Sequence, residues 1–322
     1  MITPPRLKLA ALPTPVEEVP RLAQFLHAPR LLVKRDDLTG LGLGGNKTRK
    51  LEFLLAEALA NGARTLITTG ATQSNHCRQT AAAAAHFGLD CILVLAGDPP
   101  ETRSGNLLLD DLFGAEIIWT THSDRDQTLQ EMFDRTWEHG HRPYLVPYGG
   151  SNPTGAAAYA FAVQELMEQV RDIDWIVFAS SSGGTQAGLV VGASLFGYVG
   201  QILGISVDEP QAVLQERVAS LASATADLLG ENLNYSPSDI VVNADYNGLG
   251  YGILGDAERE AIRIFARQAG LLLDPVYTGR AAAGLIDLIR QGFFSQNDTI
   301  LFLHTGGVPA LFADRYQAQV II

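Results

Sequence analysis

The sequence predicts an α/β protein built on mostly parallel sheets with helices on both faces. Three observations carry this reading. Short apolar runs of strand length recur along the chain, helical patterns stand between them, and 32 of the 322 residues are glycine. Glycine is the residue that tight strand-to-helix turns require. Hydrophobic residues make up 47% and charged residues 18%, enough to bury a large core.

The elements follow in order. Leu51, Leu54, Leu55, Ala58 and Leu59 recur at helical spacing, and "ANGA" predicts the end of that helix. "TLITTG" (65–70) reads as a buried strand and "SNHCRQTAAAAAHFG" (74–88) as a helix closed by glycine. "CILVLAG" (91–97), "EIIWTT" (116–121) and "PYLVPYG" (143–149) are further strands, with helical stretches at 103–113 and 124–139. "WIVFASS" (175–181), "QILGISVD" (201–208) and "TILFLHTGG" (299–307) repeat the theme. No repeat, low-complexity segment or charged linker separates domains.

Charge and cysteine usage exclude several classes. The net charge is −12 with no basic run, which argues against non-specific nucleic-acid binding. Cys77 and Cys91 stand in no metal or redox spacing, so the reading is a reduced, cytoplasmic protein without a metal site. Prolines and acids occupy the N-terminus where a signal peptide would need an apolar core. Residues 175–207 carry no charge, but "SSSGGTQAG" interrupts them and "LVVGASLFGYVG" is too short and glycine-rich to span a membrane.

Parallel sheets hold ligands at the carboxyl ends of their strands. The polar, glycine-rich junctions at 40–48, 70–78, 180–188 and 304–308 are therefore expected to converge. In "GLGLGGNKTRKLEF" (40–53), Gly40, Gly42 and Gly45 spell G-x-G-x-x-G. A dinucleotide fingerprint would need a strand running straight into the glycines and an acid at the end of the next strand. "KRDD" precedes the glycines instead, and "TLITTG" ends without an acid. A P-loop would need its lysine where Asn46 stands. What remains is a glycine turn, Asn46 as N-cap, and Lys47 in the first helical turn. The positive end of the helix dipole lowers a lysine's pKa there, which suits Schiff-base chemistry. The alternative is a solvated surface lysine, like its neighbours Arg49 and Lys50.

Two other junctions bear on the choice. In "SSSGGTQAGL" (180–189), N–H groups of Gly183, Gly184 and Thr185, with the Ser182 and Thr185 hydroxyls, can cradle one phosphate at a helix start. Close helix packing is the other account of those glycines. One phosphate site plus a separate lysine suits pyridoxal phosphate. In "TGATQSNHCRQTA" (69–81), Gln73, Ser74, Asn75 and His76 can grip a carboxylate and a phenolate-like oxygen. Simple capping by Ser74 or Asn75 explains one of the four.

"GGNKTRKLEF", "QSNHCRQTAA", "LLLDPVYTGRAAAGLIDL" and "LFLHTGG" resemble the D-cysteine desulfhydrase and 1-aminocyclopropane-1-carboxylate deaminase family. These are fold-type II pyridoxal-phosphate enzymes of the tryptophan synthase β superfamily. The resemblance runs from about Leu7 to Ala313 with the motifs in order. It implies two three-layer α/β/α domains: a large cofactor domain of residues 1–47 and 161–322, and a small one of 48–160. It implies that Lys47 carries the cofactor, Asn75 meets its ring hydroxyl, Ser182 to Gly188 form the phosphate cup, and Thr305 meets the pyridine nitrogen. Ser74, Asn75, His76, Tyr251, Tyr277 and Thr278 are expected to face a small amino-acid substrate, with Ser74, Tyr251 and Tyr277 joining Lys47 in the chemistry. Tyr251 and Tyr277 also read as ordinary half-buried packing residues. A homodimer is implied by the resemblance alone.

Two positions separate the family's reactions. The ring-opening deaminases read Ser-Asn-Gln where this chain has Ser74-Asn75-His76, and carry Glu where it has Thr278. Opening a cyclopropane lacks a leaving group and needs acid–base help that a hydroxyl does not supply. A thiolate leaves with little help. The expectation is β-elimination from D-cysteine or a close relative to pyruvate, ammonia and hydrogen sulfide. L-cysteate sulfo-lyase and 1-aminocyclopropane-1-carboxylate deaminase are the alternatives.

Overall fold

Residues 1–248 and 250–321 are described in a computed structural model of the chain. It begins with β1 (Val16–Glu18), α1 (Pro20–Leu26) and β2 (Arg30–Lys34), and the glycine loop then leads into α2 (Asn46–Ala60). Next come β3 (Thr65–Ala71), α3 (Asn75–Phe87), β4 (Asp90–Ala96), α4 (Asn106–Leu112), β5 (Glu116–Thr120), α5 (Arg125–Glu138) and β6 (Pro143–Leu145). The second half runs through α6 (Pro153–Gln169), β7 (Trp175–Ser180), α7 (Gly184–Phe196), β8 (Gln201–Ser206), α8 (Gln211–Leu228) and β9 (Val241–Asn243). It closes with α9 (Asp256–Ala269), α10 (Thr278–Arg290), β10 (Thr299–Leu303) and α11 (Asp314–Ile321).

The strands form two sheets, ordered β1-β2-β10-β7-β8-β9 and β5-β4-β3-β6. Every pairing is parallel except β1 with β2, where Val16 faces Lys34. Alternate residues of the first sheet feed opposite cores, as the two-residue period of a strand requires. Leu31, Val33, Val177 and Phe302 pack toward α1, α9 and α10, against Leu22, Phe265 and Leu285. Leu32, Ile176, Phe178, Leu301 and Leu303 pack toward α6 and α7, against Tyr159, Val163 and Leu189. In the second sheet Leu66, Leu93 and Leu95 meet α2 and α3, while Ile67, Ile92 and Val94 meet Met132 of α5. Strands buried on both faces read as continuous apolar runs, which is why most were legible.

Three were not: β1, β2 and β9. "RLLVK" forms β2, second from the edge of the larger sheet, and ends in a buried lysine. Lys34 Nζ donates to Thr14 O at 2.8 Å, Glu165 Oε1 at 2.6 Å and Gln169 Oε1 at 2.6 Å, so its charge is matched inside the fold. The expected strand at 143–149 ends at Leu145, because Pro147 has no N–H for a ladder. All strands of the smaller sheet lie between residues 65 and 145, whereas the larger sheet draws on both chain ends. Helix α6 spans residue 160, and its Ala156, Ala157 and Ala160 pack with Ala187 of α7 and Leu214 of α8.

Candidate active site

A cavity opens where the carboxyl ends of β3, β7 and β10 meet the start of α2. Its wall takes residues from all four glycine-rich junctions: Asn46 and Lys47; Ser74, Asn75 and His76; Ser180 to Gly183 with Thr185; and Thr305. Strand β3 lies between β4 and β6, so the loop after it leaves the sheet at a switch point, where such sheets open a crevice.

The glycine loop is held tightly. Gly44 has φ +68°, and a Cβ there would stand 1.9 Å from Asp37 O, so no other residue fits without moving backbone. From α3, Arg78 Nη2 donates to Gly44 O at 3.0 Å, its Nη1 donates to Gly42 O, and Gln79 Oε1 accepts from Thr48 N at 2.8 Å. The N-cap of α2 is Gly45, not Asn46 as the sequence suggested. Asn46 instead turns its amide across the cavity, where Nδ2 donates to Thr185 Oγ1 at 3.2 Å.

Lys47 is the second residue of α2 and lines the cavity. Burial pulls its ammonium down to about 8, partly opposed by Lys50 beside it. The dipole argument from sequence thus reached the right direction, but burial is the leading cause in the fold. A lysine that gives up its proton near neutrality is a nucleophile toward carbonyls. Its neighbours are not solvated: Arg49 is 3% exposed and Lys50 is 1% exposed. Arg49 binds Asp36 and Glu165 within an ion cluster that Lys34 and Tyr159 complete. Lys50 Nζ donates to Gly149 O at 3.1 Å and Ser151 Oγ at 3.3 Å, and burial beside Lys47 pushes its pKa well down. Sequence reasoning missed Lys50, Tyr148, Gly149 and Ser151, because a loop after a short strand carries no local sign of what it will face.

Across the cavity, Ser151 Oγ and Ser182 Oγ lie 2.8 Å apart, and Ser151 Oγ accepts from Gly184 N at 3.2 Å. The hydroxyls of Ser182 and Thr185 thus gather with the α7 N-terminus, within reach of Lys50 through Ser151, while Ser181 Oγ donates to Asp208 Oδ2 at 3.2 Å. Gly188 does not belong to this cup. It lies one turn inside α7 against α6, where a Cβ would stand 2.1 Å from Ala156 O. The packing account of that glycine prevails.

Ser74 is the N-cap of α3, its Oγ accepting from Cys77 N at 3.1 Å, and it also faces the cavity. Gln73 does not: its amide accepts from Asn106 N at 2.8 Å and donates to Ser104 O at 2.9 Å. His76 Nε2 lies 2.9 Å from Thr68 Oγ1, whose single proton goes to Val146 O at 2.8 Å. Nε2 therefore carries the imidazole proton and Nδ1 keeps a lone pair. Burial, with Lys47 and Lys50 nearby, drives the His76 pKa well down, so the ring is neutral. Buried His76 Nδ1 and Ser180 Oγ have no partner among the described residues, and both residues line the cavity. Such orphaned atoms suit a polar ligand.

Tyr277 lines the cavity, and its hydroxyl meets that of Tyr251 at 2.6 Å, with Tyr251 standing behind it. Burial raises both phenols far above the ordinary range, so they act as donors and not as bases. Thr278 departs from expectation. It is fully buried and outside the cavity wall, its Oγ1 donating to Asp274 Oδ1 at 2.7 Å and accepting from Asp274 N at 2.8 Å. Asp274 draws the residue inward to close the turn before α10. Among the described residues, the cavity wall bears no carboxylate.

The donor set fits a phosphorylated carbonyl compound: a proton-poor lysine, an amide, and hydroxyls at a helix start. Comparisons with known proteins agree. Residues 7–306 match the family described as pyridoxal-phosphate dependent enzymes. The chain is 45% identical over 318 residues to a D-cysteine desulfhydrase of Salmonella choleraesuis (strain SC-B67), covering 96% of each. It is 44% identical to the Salmonella typhi protein of the same name, at the same coverage. The solved structure of an ACC deaminase homologue superposes with a TM-score of 0.91 at 38% identity, over 99% of this chain and 96% of that one. Threonine deaminase isoform 2 from Solanum lycopersicum shares the fold, with a TM-score of 0.67 at 15% identity over 97% and 83% of the two chains.

Proposed function

From a chain that belongs to the family of pyridoxal-phosphate dependent enzymes, we propose a carbon–sulfur lyase acting on D-cysteine. The products are pyruvate, ammonia and hydrogen sulfide, with one water consumed. Lys47 would hold the cofactor covalently, with Ser182, Gly183 and Thr185 beside Lys50 and Ser151 around its phosphate, Asn75 at its ring hydroxyl and Thr305 at its ring nitrogen. When bound, the cofactor supplies an electron sink that acidifies the substrate's α-carbon.

The protein's own groups do the rest. Lys47, freed when the substrate's amino group takes its place, accepts the α-proton as a neutral amine. His76 Nδ1 accepts a hydrogen bond from the substrate, and Ser74 Oγ orients it. Tyr277, backed by Tyr251, donates toward the departing sulfur.

The observation that carries the choice of reaction is the wall without a carboxylate. With Thr278 locked onto Asp274, Lys47 and Tyr277 are left for proton transfer, which suffices for a thiolate and falls short for ring opening. Steady-state assays of sulfide and pyruvate release from D-cysteine, L-cysteine and L-cysteate, with ring opening of aminocyclopropane carboxylate alongside, test it. We expect D-cysteine to give the highest kcat/KM. Efficient ring opening without sulfide release from D-cysteine would overturn the reading.

The same reading assigns the cofactor to residues 1–47 and 161–322, with 48–160 as the facing wall. It also places the protein in the cytoplasm as a homodimer, in keeping with two free, buried cysteines. Among the described residues no helix is long and apolar enough to cross a membrane. Light scattering at working concentration checks the dimer.

A further inference from the structure

Asn106, the first residue of α4, stands outside the cavity wall and is fully buried. Its Nδ2 lies 2.9 Å from Gln73 O and 2.8 Å from a terminal side-chain atom of Asn75. Gln73 O is a backbone carbonyl and can only accept, so the Asn106 atom beside it must be the amide nitrogen. The Asn75 atom that receives the second N–H must in turn be an acceptor, Oδ1. That leaves Asn75 Nδ2 facing the other way, beside Gly307, where a Cβ would stand 2.9 Å from it. Among the described residues, no group accepts from it.

We propose that Asn106 is a positioning residue that sets the orientation of the Asn75 carboxamide, so that Asn75 offers the cavity an N–H donor and not a carbonyl. A donor there suits an anionic oxygen, such as the ring oxygen of the cofactor; a carbonyl would repel it. This deepens the reading that pyridoxal phosphate sits at Lys47, and rests on it.

Asn106 is itself pinned. Its backbone N–H donates to Gln73 Oε1 at 2.8 Å, and Gln73 Nε2 donates to Ser104 O at 2.9 Å. Its own Oδ1 is buried without a partner. An unpaired buried carbonyl is a cost that a smaller or apolar side chain would avoid. Orienting Asn75 is the return for that cost.

The test is a double-mutant cycle read by cofactor binding. Apoprotein is titrated with pyridoxal phosphate, following visible absorption and the dissociation constant, for wild type, Asn106→Asp, Asn75→Ala and the double variant. Aspartate keeps the shape of Asn106 and removes its donor, so the Asn75 amide turns and presents Oδ1 to the cofactor. We expect Asn106→Asp to weaken binding by about tenfold with Asn75 present, and to change it little in the Asn75→Ala background. The visible band should shift in the first case and not in the second. Equal loss in both backgrounds, or none with Asn75 present, overturns the proposal. If Asn106→Asp does not fold, Asn106→Ala makes the same comparison with an expected loss of about threefold. Wild-type protein without a borohydride-reducible adduct at Lys47 would instead sink the underlying reading, before any variant is made.

Discussion

Two glycine-rich turns face each other across the cavity, one before α2 (40–47) and one before α7 (180–185). In the sequence they look alike, each a run of glycines opening a helix. In the fold their glycines serve different ends. Gly44 lets backbone lie on backbone, with Asp37 O where its Cβ would be. That packing, with Arg78 and Gln79 behind it, delivers Lys47 to a defined place. Gly184 has ordinary φ, and a Cβ there would meet Ser151, its Oγ at 2.5 Å and its Cα at 2.9 Å. The second turn leaves a helix start open to a ligand. One turn is a rigid mount for a reactive amine, and the other is an open receptor for an anion.

The largest expected effect falls on the mount. Lys47→Ala should abolish the visible absorption of the bound cofactor and lower kcat by about 10³-fold or more. Peptide mass spectrometry after borohydride treatment of the wild type checks the assignment. A label on another lysine would remove the contrast at its root.

Next in size is Gly44→Ala, which forces a left-handed residue and a clash with backbone. We expect a loss of about 3 kcal/mol, a fall of roughly 6 °C or more in Tm of the apoprotein. Gly184→Ala should cost about 1 kcal/mol and instead weaken cofactor binding by about tenfold. Thermal melts and cofactor titrations of both variants sharpen the comparison. Equal behaviour in the two assays would mean that the turns do not differ in kind.

The smallest effect is a pH dependence. Lys47 in the apoprotein has a pKa of about 8 against an ordinary 10.5. Between those values the unfolded chain holds a proton that the native state has lost, so this group's contribution to stability rises with pH. Below about pH 8 both states are protonated and the full penalty of burying the charge remains. Lys47→Met apoprotein should therefore melt above wild type at pH 7, with the margin shrinking toward pH 10. A margin independent of pH would show that burial does not depress Lys47. The comparison of variants matters here, because Cys77 and Cys91, held protonated by burial, push stability the opposite way in the same range.

Legibility followed the range of the physical signal. The seven strands read from the sequence are apolar runs, and α3 and α7 start at polar or glycine residues directly after strands, so a local window contains what specifies them; β1, β2 and β9 are short or charged and gave no such signal. Ser74, Asn75 and Thr305 lie just beyond strand ends, where a parallel sheet places its ligand sites, Lys47 lies at a helix start, and each lines the cavity. Gln73 and Thr278 were misplaced because their partners, Asn106 and Asp274, decide which way they turn. Lys50 read as surface because a charge in a helix is solvated unless distant groups match it. Here Gly149 and Ser151, about a hundred residues on, supply that match.

By itself the sequence determined the α/β architecture, seven of its ten described strands and the four junctions that carry the chemistry. These rest on periodicity, on glycine's freedom of φ and on helix starts, all properties of a few consecutive residues. Only the tertiary structure decided which side chains of those junctions point inward, that burial brings the Lys47 ammonium down to about 8, that His76 is neutral with its lone pair on Nδ1, and that no carboxylate reaches the wall. Desolvation and hydrogen-bond partnership are set by what comes to lie nearby, and in this chain those neighbours come from positions far apart in the sequence.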